Sequence, residues 1–361
     1  MCLRLRHFRE AAIRWFRIWL ICLVQVWLAL PVEALQAGYV GRMGPASGSG
    51  RAVTMQFAGA DSLPSYITFT RASARTCWNS SGVMVALGND VPCLDHNPVT
   101  LAPRGLLIEG QRTNLLLNSA SLATQSVTVS AVAYTLSFYG TGSVTLSGVS
   151  SGTLNGAGAF PSRATLTFTP SAGTLTLTVT GSVQFANLEA GSFASSYIPT
   201  TGTSATRAAD SALITSLSTI GFNATEGVVL TEYEYMAAGA TQVVWRLYSD
   251  ASNFMGLRRG TGSPGNLITE VFSGGASQFA EVSPMISANT VYKSAFGYAF
   301  NNAASVTNGT VSGNDTSITI PTVSTLGLGR DNTANQMFGW LQRFTYYPSR
   351  LPNETLQQLT Q

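Results

Sequence analysis

The chain has 361 residues, with 45% apolar residues and only 10% charged residues, against about 25% charged in an ordinary globular domain. Its mean hydropathy of +0.18 excludes a disordered chain, and the scarcity of charge argues against long solvent-facing helices and coiled coils. Ser, Thr, Gly and Asn replace the missing charge, which favours β-sheet surfaces and tight turns. Residues 1–51 hold seven Arg and two Glu, and the rest of the chain is slightly acidic, so no basic domain face indicates a nucleic-acid partner.

The chain begins with a leader, residues 1–37, in which five arginines precede the apolar run 18–30. A secretory signal has this pattern, with about 7–15 apolar residues, whereas a membrane-spanning helix needs about 20. The alternative is that the reading frame is assigned too long and that translation starts at Met43 or Met55, so that part or all of residues 1–54 is not translated. Both interpretations stay open.

The sequence after the leader predicts an all-β protein in two bodies. Residues 38–118 form an N-terminal region in which 67–70 and 106–108 read as strands. In residues 119–200 the segments 165–169 and 174–180 alternate strictly between polar and apolar side chains, which predicts a small antiparallel β-sandwich. After a linker at 201–212, residues 213–361 predict a larger jelly-roll sandwich, because turn residues break its apolar runs every 8–12 positions.

The strands predicted for the larger sandwich are 227–235, 242–248, 254–258, 267–272, 291–298, 305–307, 325–329 and 338–347. A proline near the first helical position and an early glutamate then predict a short helix over 352–359.

Two cysteines, Cys77 and Cys93, follow the leader and enclose a Gly- and Asn-rich stretch. If the flanking segments pair, a disulfide closes a loop of about 15 residues, and the alternative is two small buried thiols. Together with His96 they make too few ligands for a zinc site.

Candidate catalytic residues are few. His96 is the one histidine outside the leader, and no nucleophile-elbow, phosphate-loop or dinucleotide motif occurs. Glu232 and Glu234 lie two apart on a predicted strand and so point to one face, where they are candidates for the acid and nucleophile of a glycosidase. The alternative is a solvated outer face, and we predict a protein that is not an enzyme.

Candidate binding residues are Trp245, Tyr248 and Trp340, whose rings suit stacking on sugars, although most aromatic residues of a sandwich belong to its core. Asp331 follows a Gly-rich strand end and is a candidate calcium ligand, with a plain turn as its alternative. Calcium is the one cofactor that the sequence leaves open.

Four segments together resemble a family of bacteriophage fibre and tail structural proteins. They are residues 67–73 (ITFTRAS), 104–116 (RGLLIEGQRTNLL), 184–210, which includes LEAGSF and SYIPTTG, and 338–351, which resembles the closing strand of a concanavalin A-like (laminin G-like) domain. The resemblance implies a virion protein whose middle sandwich is like a carbohydrate-binding module and whose C-terminal domain is like a lectin. It also implies that Arg112 and Arg207 bond to carboxylates or carbonyls.

The resulting hypothesis is a fibre or spike component that adheres to host-surface glycan, with other virion subunits as partners and several copies of the chain assembled together. The alternatives are a purely structural virion subunit, a glycan depolymerase, and a secreted lectin-like protein if the leader is a true signal.

Overall fold

The computed structural model describes residues 50–236, 241–261, 265–333 and 335–361. The predicted leader, residues 1–37, lies outside the described residues, so its two interpretations remain predictions. The described part of the chain is nearly all β, as predicted, and its main sheets are antiparallel. It contains no helix with the length and apolar character that crossing a bilayer requires.

The strands form a large sandwich, a small sandwich and short additional pairs. Those before the small sandwich are β1 (Val53–Gln56), β2 (Thr68–Thr70), β3 (Arg75–Trp78), β4 (Met84–Leu87), β5 (Cys93–His96), β6 (Pro103–Ile108) and β7 (Arg112–Asn114). The small sandwich contains β8 (Gln125–Val129), β9 (Tyr134–Gly140), β10 (Ser143–Gly148), β11 (Gly152–Asn155), β12 (Gly158–Phe168), β13 (Gly173–Thr180) and β14 (Gln184–Ala190).

The remaining elements follow from residue 205 onward. They are β15 (Ala205–Arg207), β16 (Ser211–Ile214), a 3-10 turn (Leu217–Ile220), β17 (Glu226–Tyr235), β18 (Gln242–Tyr248), β19 (Phe254–Arg259), β20 (Gly265–Ser273), β21 (Ala276–Ile286), β22 (Val291–Ala299), β23 (Asn302–Thr307), β24 (Thr310–Asp315), β25 (Thr325–Leu328), β26 (Gly339–Tyr347) and helix α1 (Asn353–Leu359).

The large sandwich packs two antiparallel sheets around one core. One sheet has the order β24-β23-β22-β17-β26-β6-β5, with β1 also on β26, and the other has the order β2-β16-β25-β18-β19-β20-β21. Inward-facing side chains of both sheets, such as Phe57, Trp245 and Phe344, fill the space between them. Helix α1 covers part of the outer face against β22 and β23, where Leu356 belongs to a buried cluster with Ala295 and Val306.

The boundaries of the large sandwich differ from those expected from the sequence. Strands β1, β2, β5 and β6 come from the N-terminal region 38–118, yet they pair within the two sheets of the C-terminal body. The segment 201–212, expected as a linker, supplies β15 and the start of β16. Local sequence patterns indicate strands but not their partners, because pairing over hundreds of residues depends on the packed core.

The small sandwich has its own core and separate sheets. The order β11-β10-β13-β8 faces the three-stranded sheet β12-β9-β14, and leucines such as Leu136, Leu175 and Leu177 are fully buried between them. The two strictly alternating segments, β12 and β13, lie in opposite sheets, because the turn between them crosses from one layer to the other.

Candidate functional site

Three arginines and two acids form a buried ion-pair network. Arg75 bonds to both acids, with Nη1 at 2.8 Å from Asp210 Oδ2 and Nη2 at 2.5 Å from Glu109 Oε2. Arg207 Nη1 is 3.0 Å from Glu109 Oε2, and Arg71 Nη1 is 3.3 Å from Asp210 Oδ1. All five side chains are fully buried, so each charge depends on its partners to offset the loss of water.

The network joins the segments that carry the family resemblance. Arg71 comes from residues 67–73, Glu109 from 104–116, and Arg207 from 184–210. The expectation that Arg207 and Arg112 are partners of carboxylates is confirmed, since Arg207 forms an ion pair with Glu109 and Arg112 Nε lies 3.6 Å from Glu189 Oε2 in a second ion pair. The charges of the buried network are therefore structural parts of the interior.

A pocket of about 270 Å³ lies beside the network and is lined by residues of both sandwiches. Its walls come from the β3–β4 hairpin, the β5–β6 pair, strands β9 and β12, residues 194–197 and strand β26. We call it the junction pocket. The side chains that give it chemical character are Trp78, Asp95, Arg104, Tyr139, Arg163 and Trp340.

Aromatic rings continue from the pocket wall onto the surface, in an aromatic patch of Trp78, Tyr139, Phe160 and Phe185. The Phe160 ring centre is 5.4 Å from that of Trp78, 5.3 Å from that of Tyr139 and 5.6 Å from that of Phe185. Phe160 is 41% exposed, whereas Tyr139 is buried. The patch therefore offers an accessible apolar face supported by a rigid interior layer.

Asp95 holds two walls of the pocket together. Its Oδ1 accepts the backbone N–H of Trp78 at 2.9 Å, and its Oδ2 accepts the Nε1–H of Trp340 at 2.8 Å. Burial raises the pKa of Asp95 above its ordinary value, although these two hydrogen bonds oppose the rise. The Asp95 carboxyl group therefore holds Trp78 and Trp340 in place in the pocket wall, and each of its oxygens accepts a hydrogen bond from one of them.

Cys77 and Cys93 are joined by a disulfide next to Asp95, which decides between the two interpretations of the cysteines. In the part of the chain that the structure describes, these three residues are the one acid and cysteine cluster close enough to hold a metal ion. The disulfide removes the thiolates that a metal would bind.

Two arginines of the pocket have different surroundings. The Arg104 guanidinium lies over the Trp340 ring, 3.2 Å from its centre, and forms an ion pair with Glu234. Arg163 donates from Nη1 to the Ser195 carbonyl at 2.6 Å and from Nη2 to Ser137 Oγ at 2.7 Å. Arg104 is therefore neutralised by an acid, whereas Arg163 has neutral acceptors.

The structure places the three predicted sugar-stacking residues in different environments. Trp245 is 1% exposed in the core, between Phe296 and Phe344, so the prediction that it contacts ligand is wrong for lack of accessible surface. Tyr248 is half-buried at the end of β18. Trp340 does line the junction pocket, but Arg104 covers its face and Asp95 takes its N–H, so it supports the wall.

Glu232 and Glu234 share one face of β17, as predicted, and both are held by cations. Arg343 Nη2 is 2.7 Å and Lys293 Nζ is 3.5 Å from Glu232 Oε1, and Glu234 pairs with Arg104. The face is the outer one of the eight-stranded sheet, because the alternate residues of β17 point into the large core.

Asp331 is a turn residue in the structure. Its Oδ1 accepts the N–H and the hydroxyl of Thr333 at 2.8 and 2.7 Å, and its Oδ2 accepts the Asn335 amide at 2.8 Å. Burial would raise the pKa of Asp331, but the hydrogen bonds from Asn335 and Thr333 bring it below its ordinary value. Its oxygens are filled by donors, so the calcium-ligand interpretation has no support in this geometry.

Sequence reasoning missed most of the junction pocket. Trp78 is the pocket residue that the sequence could have indicated. It is one of three tryptophans after residue 49, and the other two, Trp245 and Trp340, are predicted stacking residues. Tyr139, Asp95 and Arg163 gave no signal of their own, because they come from separate segments that only the assembled fold brings together.

No protein-family model matches the chain, and no curated protein matches it in sequence. Solved structures similar to part of it include the CBM40 domain of the Ruminococcus gnavus IT-sialidase bound to α2,3-sialyllactose, with 14% identity and a TM-score of 0.34, covering 38% of this chain and 84% of that one. Domain 4 of the Geobacillus stearothermophilus arabinanase AbnA, in complex with arabinotriose, has 13% identity and a TM-score of 0.35, covering 42% and 73%.

A third similar structure is the NanB sialidase from Streptococcus pneumoniae, with 11% identity and a TM-score of 0.34, covering 40% of this chain and 25% of that one. Similarity at this level of identity and TM-score carries no information about ligand or activity.

Proposed function

We propose that this protein binds carbohydrate at the junction pocket and does so without cleaving it. The observation that carries the proposal is the pocket itself, where the accessible aromatic patch meets fixed hydrogen-bonding groups. A sugar ring has apolar C–H faces and a rim of hydroxyl groups, and an aromatic wall with polar groups at its edge is complementary to both.

The volume of the pocket is suited to a small part of a glycan. About 270 Å³ lies just below the range of roughly 300–1,000 Å³ that is typical of pockets for drug-sized molecules. We therefore propose that one terminal sugar enters the pocket while the adjoining residues of the glycan lie along Phe160. Single sites of this kind bind weakly, and display of several copies would raise the overall affinity.

We assign no catalytic role to the two strand glutamates. A retaining glycosidase needs two carboxyl groups about 5–5.5 Å apart across a bound sugar, one of them protonated. Glu232 and Glu234 instead form ion pairs with Arg343, Lys293 and Arg104. Binding without cleavage is therefore the simpler proposal for this protein.

A glycan array with multivalent, fluorescently labelled full-length protein tests the proposal. Trp78→Ala and Phe160→Ala are each expected to weaken glycan binding by about tenfold, since burying an aromatic side chain is worth about 1.5–3 kcal/mol. Phe300→Ala is the matched control, because Phe300 is 70% exposed and does not line the pocket. Absence of all glycan binding, or equal binding by all variants, would contradict the proposal.

We further propose that the protein is a virion component of a phage or prophage, with host-surface glycan as its target. The support is the resemblance of four segments, three of which contribute to the buried network. Mass spectrometry of particles purified after prophage induction is expected to detect the chain. Its presence only in particle-free medium would instead support the secreted lectin-like protein.

A further inference from the structure

We infer that the glycan bound at the junction pocket carries a carboxylate and that Arg163 recognises it. The inference rests on the proposed function and names its ligand class, an acidic sugar such as a uronic or sialic acid.

Arg163 is a half-buried cation in the pocket wall with no acidic partner. Among the residues that the structure describes, no carboxylate lies within 4.0 Å of its guanidinium, although eleven other such ion pairs occur. Its acceptors are the Ser195 carbonyl and Ser137 Oγ, and its Nε–H is buried without a partner. Partial loss of water is costly for a charge that has no countercharge.

The guanidinium is also held in place before any ligand arrives. The Ser137 and Ser195 contacts fix it from two sides, and it lies over the Tyr139 ring, 5.6 Å from the ring centre. Tyr139 and Arg163 both line the pocket. A fixed guanidinium binds a planar carboxylate well, because its donors match the two oxygens and little side-chain entropy is lost.

The other charges of the pocket do not oppose an anion. Arg104 and Glu234 neutralise each other. Asp95 is 3% exposed, and its oxygens are directed to the N–H groups of Trp78 and Trp340. Arg163 is therefore the uncompensated charge of this wall.

Isothermal titration calorimetry of the full-length chain with pairs of oligosaccharide probes tests the inference. Each pair consists of a uronic acid- or sialic acid-terminated oligosaccharide and its counterpart in which the carboxyl group is reduced to an alcohol. The acid is expected to bind at least about tenfold more tightly than the alcohol, because a hydrogen bond between two charged groups is stronger than one to a neutral hydroxyl. That preference is expected to fall as salt is added.

Arg163→Gln is expected to abolish the preference, so that the acid and the alcohol bind to the variant equally tightly. Arg163→Lys keeps the charge but loses the paired donors, so an intermediate preference is expected. If Arg163→Gln fails to fold, the preference of folded Arg163→Lys tests the assignment instead, and an unreduced preference in that variant would contradict it.

The outcomes separate the two proposals. Equal binding of acid and alcohol overturns the inference and leaves glycan binding intact. A preference that survives in folded Arg163→Gln also overturns it. Failure of every probe and every arrayed glycan to bind overturns the proposed function itself.

Discussion

Two buried tyrosines on β17 differ in whether their hydroxyl group has a hydrogen-bond partner. Tyr233 and Tyr235 are both buried in the large core, with ring centres 5.6 Å apart in an edge-to-face arrangement. The Tyr233 hydroxyl is 2.8 Å from Ser294 Oγ, whereas the Tyr235 hydroxyl has no hydrogen-bond partner in the described part of the chain. Burial raises the pKa of both hydroxyls, so both stay protonated. A buried polar group without a partner costs stability.

Tyr235→Phe is therefore expected to leave the free energy of unfolding unchanged or raise it by about 1 kcal/mol, because it removes an unpaired hydroxyl. Tyr233→Phe is expected to lower it by about 1 kcal/mol, because the buried Ser294 hydroxyl loses one of its two hydrogen-bond partners and keeps only Thr307. Urea denaturation of both variants gives the comparison. Equal destabilisation by the two substitutions would show that Tyr235 is satisfied in solution.

Glu109 forms ion pairs with two of the three arginines of the buried network. Its carboxylate bonds to Arg75 and Arg207 and accepts the hydroxyl of Ser196 at 2.6 Å. Burial alone would raise the pKa of Glu109, but Arg207, Arg75 and the Ser196 hydrogen bonds bring it below its ordinary value. Folding therefore favours the ionised carboxylate.

Glu109→Gln is expected to lower the free energy of unfolding at pH 7 by about 3–5 kcal/mol, because it leaves buried arginine charge unpaired. In the unsubstituted protein this contribution is complete above about pH 4.3, the ordinary value for glutamate, and is lost as the pH falls through the lower folded-state pKa. The free energy of unfolding, measured by denaturation at several pH values between 7 and 3, should fall less steeply with decreasing pH in the variant. Asp61→Asn, at an exposed position, is the control and should change stability by less than about 0.5 kcal/mol.

At the scale of elements, the β3–β4 hairpin depends on ties to its surroundings. It forms a two-stranded sheet apart from both sandwiches, and such hairpins are barely stable alone. The Cys77–Cys93 disulfide joins it to β5, and the Thr76 hydroxyl donates to the Tyr197 carbonyl at 2.6 Å. These ties hold Trp78 at the junction pocket.

Replacing Cys77 and Cys93 together by Ser is expected to lower the free energy of unfolding by about 3 kcal/mol, because an unlinked unfolded chain has more conformational freedom. Glycan binding should weaken as well, since Trp78 directly follows Cys77. Thermal denaturation and the glycan array measure the two effects. A reductant should move the unsubstituted protein toward the variant, and no response to either change would contradict a stabilising disulfide.

At the scale of the whole molecule, the large sandwich is completed by chain that precedes the small one. Strands β1 and β6 pair with successive parts of β26 on the edge opposite β17, and β2 pairs with β16. They bring Met55, Phe57 and Ile108 into the core. The small sandwich is thus inserted between two parts of the same body.

A fragment of residues 213–361 is expected to remain unfolded, because it lacks four strands and the core side chains that they carry. A fragment of residues 112–201 is expected to fold, because the core of the small sandwich lies entirely within it. Circular dichroism and two-dimensional NMR of the two fragments test this. A folded 213–361 fragment would show that the N-terminal strands are dispensable.

The sequence alone determined the fold class and most strands of the large sandwich. Alternation along β13 and the apolar runs of β17, β18 and β26 are local signals, since each reflects one strand with a buried face. Strand β21 (Ala276–Ile286) was missed, because its polar residues and internal proline weaken the pattern of an edge strand.

Only the tertiary structure decided which strands pair, which aromatic rings are accessible and where the site lies. Trp245 and Trp78 have the same chemistry, yet the first is enclosed by the large core and the second lines the junction pocket. Among the described residues, Arg163 has only neutral acceptors, and this results from how the strands pack. These properties depend on contacts between distant segments, and no local pattern of residues encodes them.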